Sequence, residues 1–204
     1  MKIFLASIAD KILEKIVPYF SESTKGMKVA FIPTAGNIYS KKPWQERDRN
    51  KLKELGFHVE DIDIEVTRHQ ELKEALSSVD IIFVAGGNTS YLLEKAQQSD
   101  FLNITKDLVR SGSIYIGSSA GSLLAGPNIE MDKVYDDGEF GKELSNYEGL
   151  GLVDFVILPH ANRKEYRPYI DKIISKYGQK YLLAELNDNQ VFVILDDKKE
   201  ILEV

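Results

Sequence analysis

Short apolar runs of strand length alternate along this chain with segments of helical periodicity. Residues 80–85, Asp-Ile-Ile-Phe-Val-Ala, are apolar almost throughout, as in a parallel strand buried on both faces of its sheet. Residues 10–20 instead carry Ile12, Leu13 and Ile16 on one face, which is typical of an amphipathic helix. This alternation predicts an α/β fold with a mostly parallel sheet flanked by helices on both faces.

The remaining predicted elements continue the alternation. We expect further strands at residues 3–7, 28–33, 59–64, 113–116, 152–158, 181–185 and 190–195, the last in a closing hairpin with residues 200–204. We expect further helices at residues 44–55, 71–76, 104–109 and 166–177, and one that includes residues 92–96. With 204 residues, the chain is predicted to form a single α/β domain, 1–204, in which residues 130–150 are a loop-rich excursion on the ligand side.

Residues 117–121 read Gly-Ser-Ser-Ala-Gly and join a predicted strand to a short segment of small residues. A Gly-x-Ser-x-Gly pattern in this setting is typical of a sharp turn that presents a nucleophilic serine at the end of a sheet. Gly117 and Gly121 would relieve crowding around Ser119 at the centre of the turn. A non-catalytic turn that packs a helix close to a strand would give the same pattern, so the motif alone leaves both interpretations open.

Four polar or glycine-rich segments fall at the predicted carboxyl ends of strands, where the ligands of parallel sheets bind. They are residues 34–37, 86–89, 117–121 and 159–162. Because these ends meet at one edge of the sheet, several of the segments should converge on one crevice. That convergence favours a catalytic role for the serine turn.

A serine hydroxyl is a weak nucleophile and needs a neighbouring base. The chain has three histidines. His58 precedes a predicted edge strand and His69 lies in a charged segment, so both are expected at the surface. His160 follows a predicted buried strand and can reach the crevice of Ser119, although a histidine there can also cap the backbone. We predict that His160 is the general base.

Two backbone donors are expected to stabilise the oxyanion of a tetrahedral intermediate. One is the N–H of Ala120, directly after the serine. The other is the N–H of Gly87, because a Gly-Gly-Asn turn lets the backbone approach a substrate closely. The same turn can act as a strand-to-helix connector with Asn88 as the helix cap, and the two roles are compatible.

The acid that would orient His160 is not fixed by the residues alone. An extended segment would place Glu130 and Asp132 on one face, from which either could reach the imidazole. Asp136 and Asp137 lie in a more hydrophilic stretch, where carboxylates are more often simply solvated.

Composition excludes several other kinds of protein. The net charge of −6 disfavours a nucleic-acid or anionic-membrane partner, and no apolar run is long enough to span a bilayer. The absence of cysteine rules out disulfides, cysteine-ligated metals and a thiol nucleophile. Asp10 and Lys11 interrupt the apolar start before a signal sequence develops, so a cytoplasmic location is expected. No cofactor or metal is expected, and monomer and homodimer both remain open.

Several motifs together resemble one family. They are Ile-Pro-Thr-Ala-Gly at 32–36, Gly-Gly-Asn-Thr at 86–89, Tyr-Ile-Gly-Ser-Ser-Ala-Gly at 115–121, Ala-Gly-Pro at 125–127 and Pro-His at 159–160. Their order and spacing are similar to those of dipeptidase E, the α-aspartyl dipeptidase family of serine peptidases, to which cyanophycinase is also related. The resemblance implies a fold like the class I glutamine amidotransferases (flavodoxin-like), with serine in place of their cysteine.

Carried over motif by motif, the resemblance implies that Ser119 is the nucleophile and His160 the base. Gly87 and Ala120 would be the oxyanion donors, and Asn88 would line the substrate site. It implies a serine peptidase that hydrolyses short peptides through a Ser-His-acid triad and an acyl-enzyme. An esterase or amidase with a non-peptide substrate, and a catalytically silent protein that binds a small ligand, remain as alternatives.

The chain departs from the family pattern at two places. The family's acid lies in a Thr-Asn-Asp-Met-like segment, where an ungapped alignment puts Val134. We therefore predict the longer side chain of Glu130 as the acid, with Asp132 next, whereas a gapped alignment would reach Asp136 or Asp137.

The second departure concerns substrate preference. Aspartyl-specific members carry a Gly-Glu-Thr-Arg-like segment after the histidine, with a basic residue that binds the acidic side chain of the substrate. In this chain Arg163 or Arg167 would have to substitute, and either can equally be a surface charge at the start of a helix. A preference for an N-terminal aspartyl residue therefore stays open.

Overall fold

A computed structural model of the chain describes residues 1–20, 23–67, 69–135 and 139–204. Its strands and helices alternate along most of the sequence, as predicted. The strands are β1 Lys2–Ala6, β2 Lys28–Ile32, β3 His58–Asp61, β4 Ile81–Val84, β5 Ile114–Ser118, β6 Phe155–Pro159, β7 Leu182–Leu186, β8 Gln190–Leu195 and β9 Lys198–Glu203. The helices are α1 Ala9–Ile16, α2 Pro43–Glu54, α3 His69–Ser77, α4 Thr89–Gln98, α5 Phe101–Arg110, α6 Ala120–Leu124 and α7 Arg167–Tyr177.

The main sheet has seven strands in the described part of the chain, in the order β3-β2-β4-β5-β1-β8-β9. The first five of these run parallel to their neighbours. β8 is antiparallel to β1, and β9 closes the sheet as a hairpin with β8. The predicted α/β fold with a mostly parallel sheet is confirmed.

Alternate residues of the central strands point into two separate hydrophobic cores. Phe4 of β1 packs on one face with Ile12 of α1 and Leu52 of α2. Leu5 of β1 packs on the other face with residues of α3, α4 and α5, such as Leu92. Because successive side chains of a strand point to opposite faces, a sheet covered on both sides needs this apolar character at every position.

The strand before His160 differs from its prediction. It begins at Phe155, and instead of joining the main sheet it pairs in parallel with β7 in a two-stranded sheet. The residues just before it bond elsewhere: the N–H groups of Leu152 and Val153 donate to the carbonyl of Ala125, at the end of α6. His160 therefore enters the site from a second, smaller sheet and not from the edge of the main one.

Residues 130–150 contain a 3-10 turn at Glu130–Val134 and an isolated bridge between Asn128 and Glu148. Across the described residues, no helix combines the length and the apolar character that a bilayer crossing would need.

Candidate active site

The turn between β5 and α6 holds Ser119 in a backbone conformation that side-chain-bearing residues rarely adopt, with φ 49° and ψ −105°. The flanking glycines are sterically required. A Cβ on Gly117 would lie 2.6 Å from the carbonyl carbon of Gly121, and a Cβ on Gly121 would lie 2.1 Å from the oxygen of Val84. This crowding turns the backbone sharply and leaves the Ser119 hydroxyl at the end of the sheet.

His160 meets this hydroxyl directly. Its Nε2 lies 3.1 Å from Ser119 Oγ, within hydrogen-bond distance. His160 follows β6 with a positive φ of 64° and is only 9% exposed. Burial and the backbone turn together hold the imidazole over the serine.

The other imidazole nitrogen faces Asp188. His160 Nδ1 lies 2.6 Å from Asp188 Oδ1, which suits an Nδ1–H that donates to the carboxylate. Ser7, just after β1, supports both groups: its Oγ accepts the His160 N–H at 2.8 Å and donates to Asp188 Oδ1 at 3.1 Å. Ser119, His160 and Asp188 are thus joined by a continuous chain of hydrogen bonds.

Arg163 holds the second oxygen of this carboxylate. Its Nε donates to Asp188 Oδ2 at 2.6 Å, and the Asp188 N–H donates to the side chain of Asn162 at 3.1 Å. Asp188 is therefore fixed from both sides, as the orientation of a catalytic imidazole requires.

Burial and these contacts shift the ionisation of both groups. Burial lowers the pKa of His160 below its ordinary value, because it disfavours the imidazolium, and the bond to Asp188 only partly opposes this. Burial alone would raise the pKa of Asp188, but the hydrogen bonds from His160 and Arg163 outweigh it, so the pKa is lowered. Near neutral pH the arrangement is a neutral imidazole beside an ionised carboxylate.

Glu130, the acid predicted from the sequence, lies elsewhere, and that prediction is wrong. Residues 130–134 coil into a 3-10 turn and are not extended, which carries Glu130 to Lys180 and Tyr181 beyond α7. Asp132 turns toward the start of α4 instead. There its Oδ2 accepts hydrogen bonds from the backbone N–H of Ser90 at 3.1 Å and from the Ser90 hydroxyl at 2.7 Å. Asp136 and Asp137 lie outside the described residues.

The other predicted side chains are placed as follows. His58 begins the edge strand β3, and His69 pairs with Asp100 at the surface. Arg167 binds Asp171 and Glu185. Of the two candidate arginines, only Arg163 borders the site, where it binds Asp188.

The loop after β4 lies against the serine turn. A Cβ on Gly86 would be 3.3 Å from Ser119 Cβ, and a Cβ on Gly87 would be 2.0 Å from the oxygen of Ala35, so only glycine fits this approach. Asn88 caps α4, and its Oδ1 accepts the N–H of Tyr91 at 2.8 Å. The structure thus brings Gly87, Asn88 and Ala120 to the same place as the serine.

Two cavities adjoin Ser119, and Tyr39, Gly87, His160 and Tyr166 border both of them. The first, of about 490 Å³, we call the tyrosine chamber; Ser119 and Leu123 border it, and its further walls are Asn88, Thr89, Asp132, Tyr135, Glu139, Phe140, Pro159 and Tyr169. The second, of about 370 Å³, we call the arginine chamber; its further walls include Ser7, Trp44, Arg47, Asp48 and Arg163.

A cavity of about 620 Å³ beside α2, lined by residues such as Asn37, Arg49 and Asp61, is larger than either chamber. It contains none of the residues of the Ser119–His160–Asp188 chain, so we place the chemistry in the two smaller cavities. Within the described ranges, no group of three or more His, Asp or Glu side chains is arranged to hold a metal ion.

Comparison with known proteins shows the family of this chain. The sequence model described as Peptidase family S51 matches residues 3–202. The uncharacterized peptidase Lmo0363 of Listeria monocytogenes is 32% identical over 88% of this chain and 89% of its own length. The Peptidase E of Nostoc sp. is 31% identical over 72% of this chain and 57% of its own length.

Two solved structures are similar to this chain over its whole length. The crystal structure of a protein from Listeria monocytogenes EGD-e, provisionally assigned as Peptidase E, superposes with a TM-score of 0.92 at 28% identity and covers 100% of this chain and 98% of its own. A peptidase from an acI-B1 actinobacterium shares the fold at a TM-score of 0.71 and 16% identity, covering 100% of this chain and 87% of its own.

Proposed function

Since the chain belongs to peptidase family S51 and is therefore a serine peptidase, we propose that Ser119, His160 and Asp188 are its catalytic triad and that it hydrolyses very short peptides. The observation that carries this proposal is the hydrogen-bond chain of 3.1 Å from Ser119 to His160 and 2.6 Å from His160 to Asp188. The two chambers, of about 490 and 370 Å³, have the size of small-molecule sites, which supports short substrates.

The proposed reaction begins when Ser119 Oγ attacks the peptide carbonyl carbon and His160 Nε2 takes the hydroxyl proton. Asp188 stabilises the imidazolium that forms, and the N–H groups of Gly87 and Ala120 bind the oxyanion. The C–N bond then breaks as the imidazolium gives its proton to the leaving amine, which leaves an ester on the serine. Water attacks this ester with the same base, releases the acid product and restores the hydroxyl.

A fluorophosphonate probe followed by a substrate panel tests this proposal. We expect the probe to label wild-type enzyme at Ser119 and to leave Ser119→Ala unlabelled, because only an activated serine reacts. Dipeptides should then be hydrolysed, whereas an enzyme that is only an esterase would turn over simple esters of matched side chain and leave the dipeptides intact. If the probe labels another residue, the nucleophile is misassigned; if esters alone are hydrolysed, the peptide substrate is wrong.

The pH dependence of kcat/KM reports the base. The neutral imidazole is the active form, so activity should rise with pH through the pKa of His160 in the free enzyme. Because burial lowers that pKa, the midpoint is expected below the ordinary value of 6.5. His58→Ala and His69→Ala should leave this profile unchanged. A profile that is flat between pH 5 and 7 would argue against a histidine base.

The cytoplasmic location expected from the sequence stays a prediction. Fractionation of cells that express the tagged chain, with the activity measured in each fraction, would test it.

A further inference from the structure

The two chambers beside Ser119 differ in charge. Asp132 and Glu139 border the tyrosine chamber, and no lysine or arginine stands among its described walls. Arg47 and Arg163 border the arginine chamber. A ligand that spans both chambers across the serine therefore meets carboxylates at one end and guanidinium groups at the other.

Arg47 and Arg163 both have N–H donors that a ligand in the arginine chamber could use. Arg163 contacts Asp188 through its Nε, and Arg47 lies 3.6 Å from Asp10, too far for a hydrogen bond. Within the described residues, the terminal nitrogens of Arg163 and the guanidinium of Arg47 make no hydrogen bond. Both groups can therefore bind a further carboxylate.

Asp48 is the remaining charged wall of the arginine chamber. It is 1% exposed, and its Oδ1 accepts the N–H of Asp10 at 2.9 Å. Burial, and then repulsion by Asp10, raise the pKa of Asp48 to about 7. Asp48 is thus substantially neutral at neutral pH and weakens the positive character of the chamber only in part.

A free dipeptide has complementary ends, with an ammonium on the residue whose carbonyl is attacked and a carboxylate on the leaving residue. The arginine chamber suits the carboxylate. The ammonium then lies in the tyrosine chamber near Asp132, where the Tyr135 hydroxyl is buried and has no hydrogen-bond partner among the described residues. The charge pattern thus orients the substrate with its N-terminal residue in the tyrosine chamber.

Among the described walls of this chamber, an acidic side chain would find no cation. Arg163 borders the other chamber and bonds Asp188, and Arg167 is engaged by Asp171 and Glu185. The walls offer aromatic surface instead: the Tyr135 ring is tilted against the rings of Tyr166 and Tyr169, with centroids 6.0 and 5.3 Å away. Such walls favour apolar and aromatic groups, and the neighbouring carboxylates repel an aspartyl side chain.

We propose that the tyrosine chamber binds the N-terminal residue of a free dipeptide, and that the preferred residue is aromatic or large and aliphatic, not aspartyl. This inference rests on the proposed peptidase function and on the placement of Ser119 as its nucleophile.

The first test compares dipeptides that differ only in the first residue. We expect kcat/KM for Phe-Ala and Leu-Ala to exceed that for Asp-Ala by about tenfold or more, since the difference is one buried side chain against an unpaired charge. An equal or higher value for Asp-Ala would overturn the proposal. So would a failure to hydrolyse all three dipeptides by an enzyme that the fluorophosphonate still labels, whereas loss of labelling would overturn the nucleophile assignment itself.

A charge placed in the chamber should shift this preference. Tyr169→Arg is expected to raise the ratio of Asp-Ala to Phe-Ala hydrolysis by about tenfold. Ile174→Arg is the matched control, because Ile174 is an exposed residue of the same helix and is not a wall of the chamber. Phe140→Arg repeats the test on a different wall if Tyr169→Arg does not fold. An unchanged ratio in the folded variants would contradict the assignment of this chamber.

The orientation of the bound dipeptide is tested separately, by the effect of its terminal carboxylate on KM. Arg47→Ala should raise KM for Phe-Ala by several-fold and leave KM for Phe-Ala amide unchanged, because the amide has no terminal carboxylate. A similar change for both substrates would show that Arg47 does not bind the carboxylate, and the orientation would be wrong.

Discussion

Replacement of Ser119 by alanine is expected to lower kcat for peptide hydrolysis by about 10⁴-fold or more, because no other group can form the acyl-enzyme. The fold should persist, since the turn is shaped by the crowded glycines on either side and not by the Ser119 hydroxyl. Single-turnover hydrolysis of a dipeptide, together with the melting temperature of each variant, measures both effects.

Ser118→Ala is the matched control, because Ser118 borders the arginine chamber but its hydroxyl contacts the backbone and not His160. Its Oγ accepts the N–H of Ala9 at 3.3 Å and is buried beneath the turn. Substantial activity should remain in Ser118→Ala. His160→Ala should be nearly as inactive as Ser119→Ala, and the double variant little worse, because the two residues act as one unit. Loss of activity in Ser118→Ala alone would show that the wrong serine has been assigned.

Asp188→Asn is expected to lower kcat by up to about 10⁴-fold, the scale known for an acid-to-amide change in a triad. Asparagine keeps the shape of the side chain but cannot stabilise the imidazolium, and its amide can hold His160 in the wrong tautomer. The partly buried Arg163 guanidinium also loses its charged partner. The rate of acylation by a fluorophosphonate, measured against pH, would show the loss.

Glu130→Gln is the control that separates the structure from the sequence-based prediction. The Glu130 carboxylate bonds Lys180 and Tyr181 at a partly exposed site, so the change should cost little activity. An inactive Glu130→Gln combined with an active Asp188→Asn would reverse the assignment of the acid.

Much of the fold follows from local patterns in the sequence. The buried strands are short apolar runs, and their bounds fall within a few residues of the predicted ones, as for β2 and β8. The prediction was poorest for β6, where Leu152 and Val153 share the apolar character of a strand but bond to the end of α6. Periodicity reports burial, and it does not distinguish which backbone partner a buried segment will take.

The acid that we propose, Asp188, was not predicted from the sequence because its surroundings look like an ordinary turn. Asp188 stands in Asn-Asp-Asn between β7 and β8, a composition typical of solvated loops. The informative signal is the pairing of β6 with β7, in which Pro159 is opposite Leu186. That register places His160 and Asp188, which follow these two residues, side by side. A single sequence shows both strands but not that they pair.

The residues that meet at the site are far apart in the sequence, and this has a consequence for the chain during translation. Ser7 near the beginning supports both His160 and Asp188, and β1 is bordered by β5 and by β8, which begins at Gln190. A nascent chain that has emerged only as far as His160 lacks the proposed acid, Asp188, and leaves one edge of β1 unpaired. With the proposed triad, hydrolytic activity would therefore require that Asp188 and β8 have also been synthesised and folded against β1.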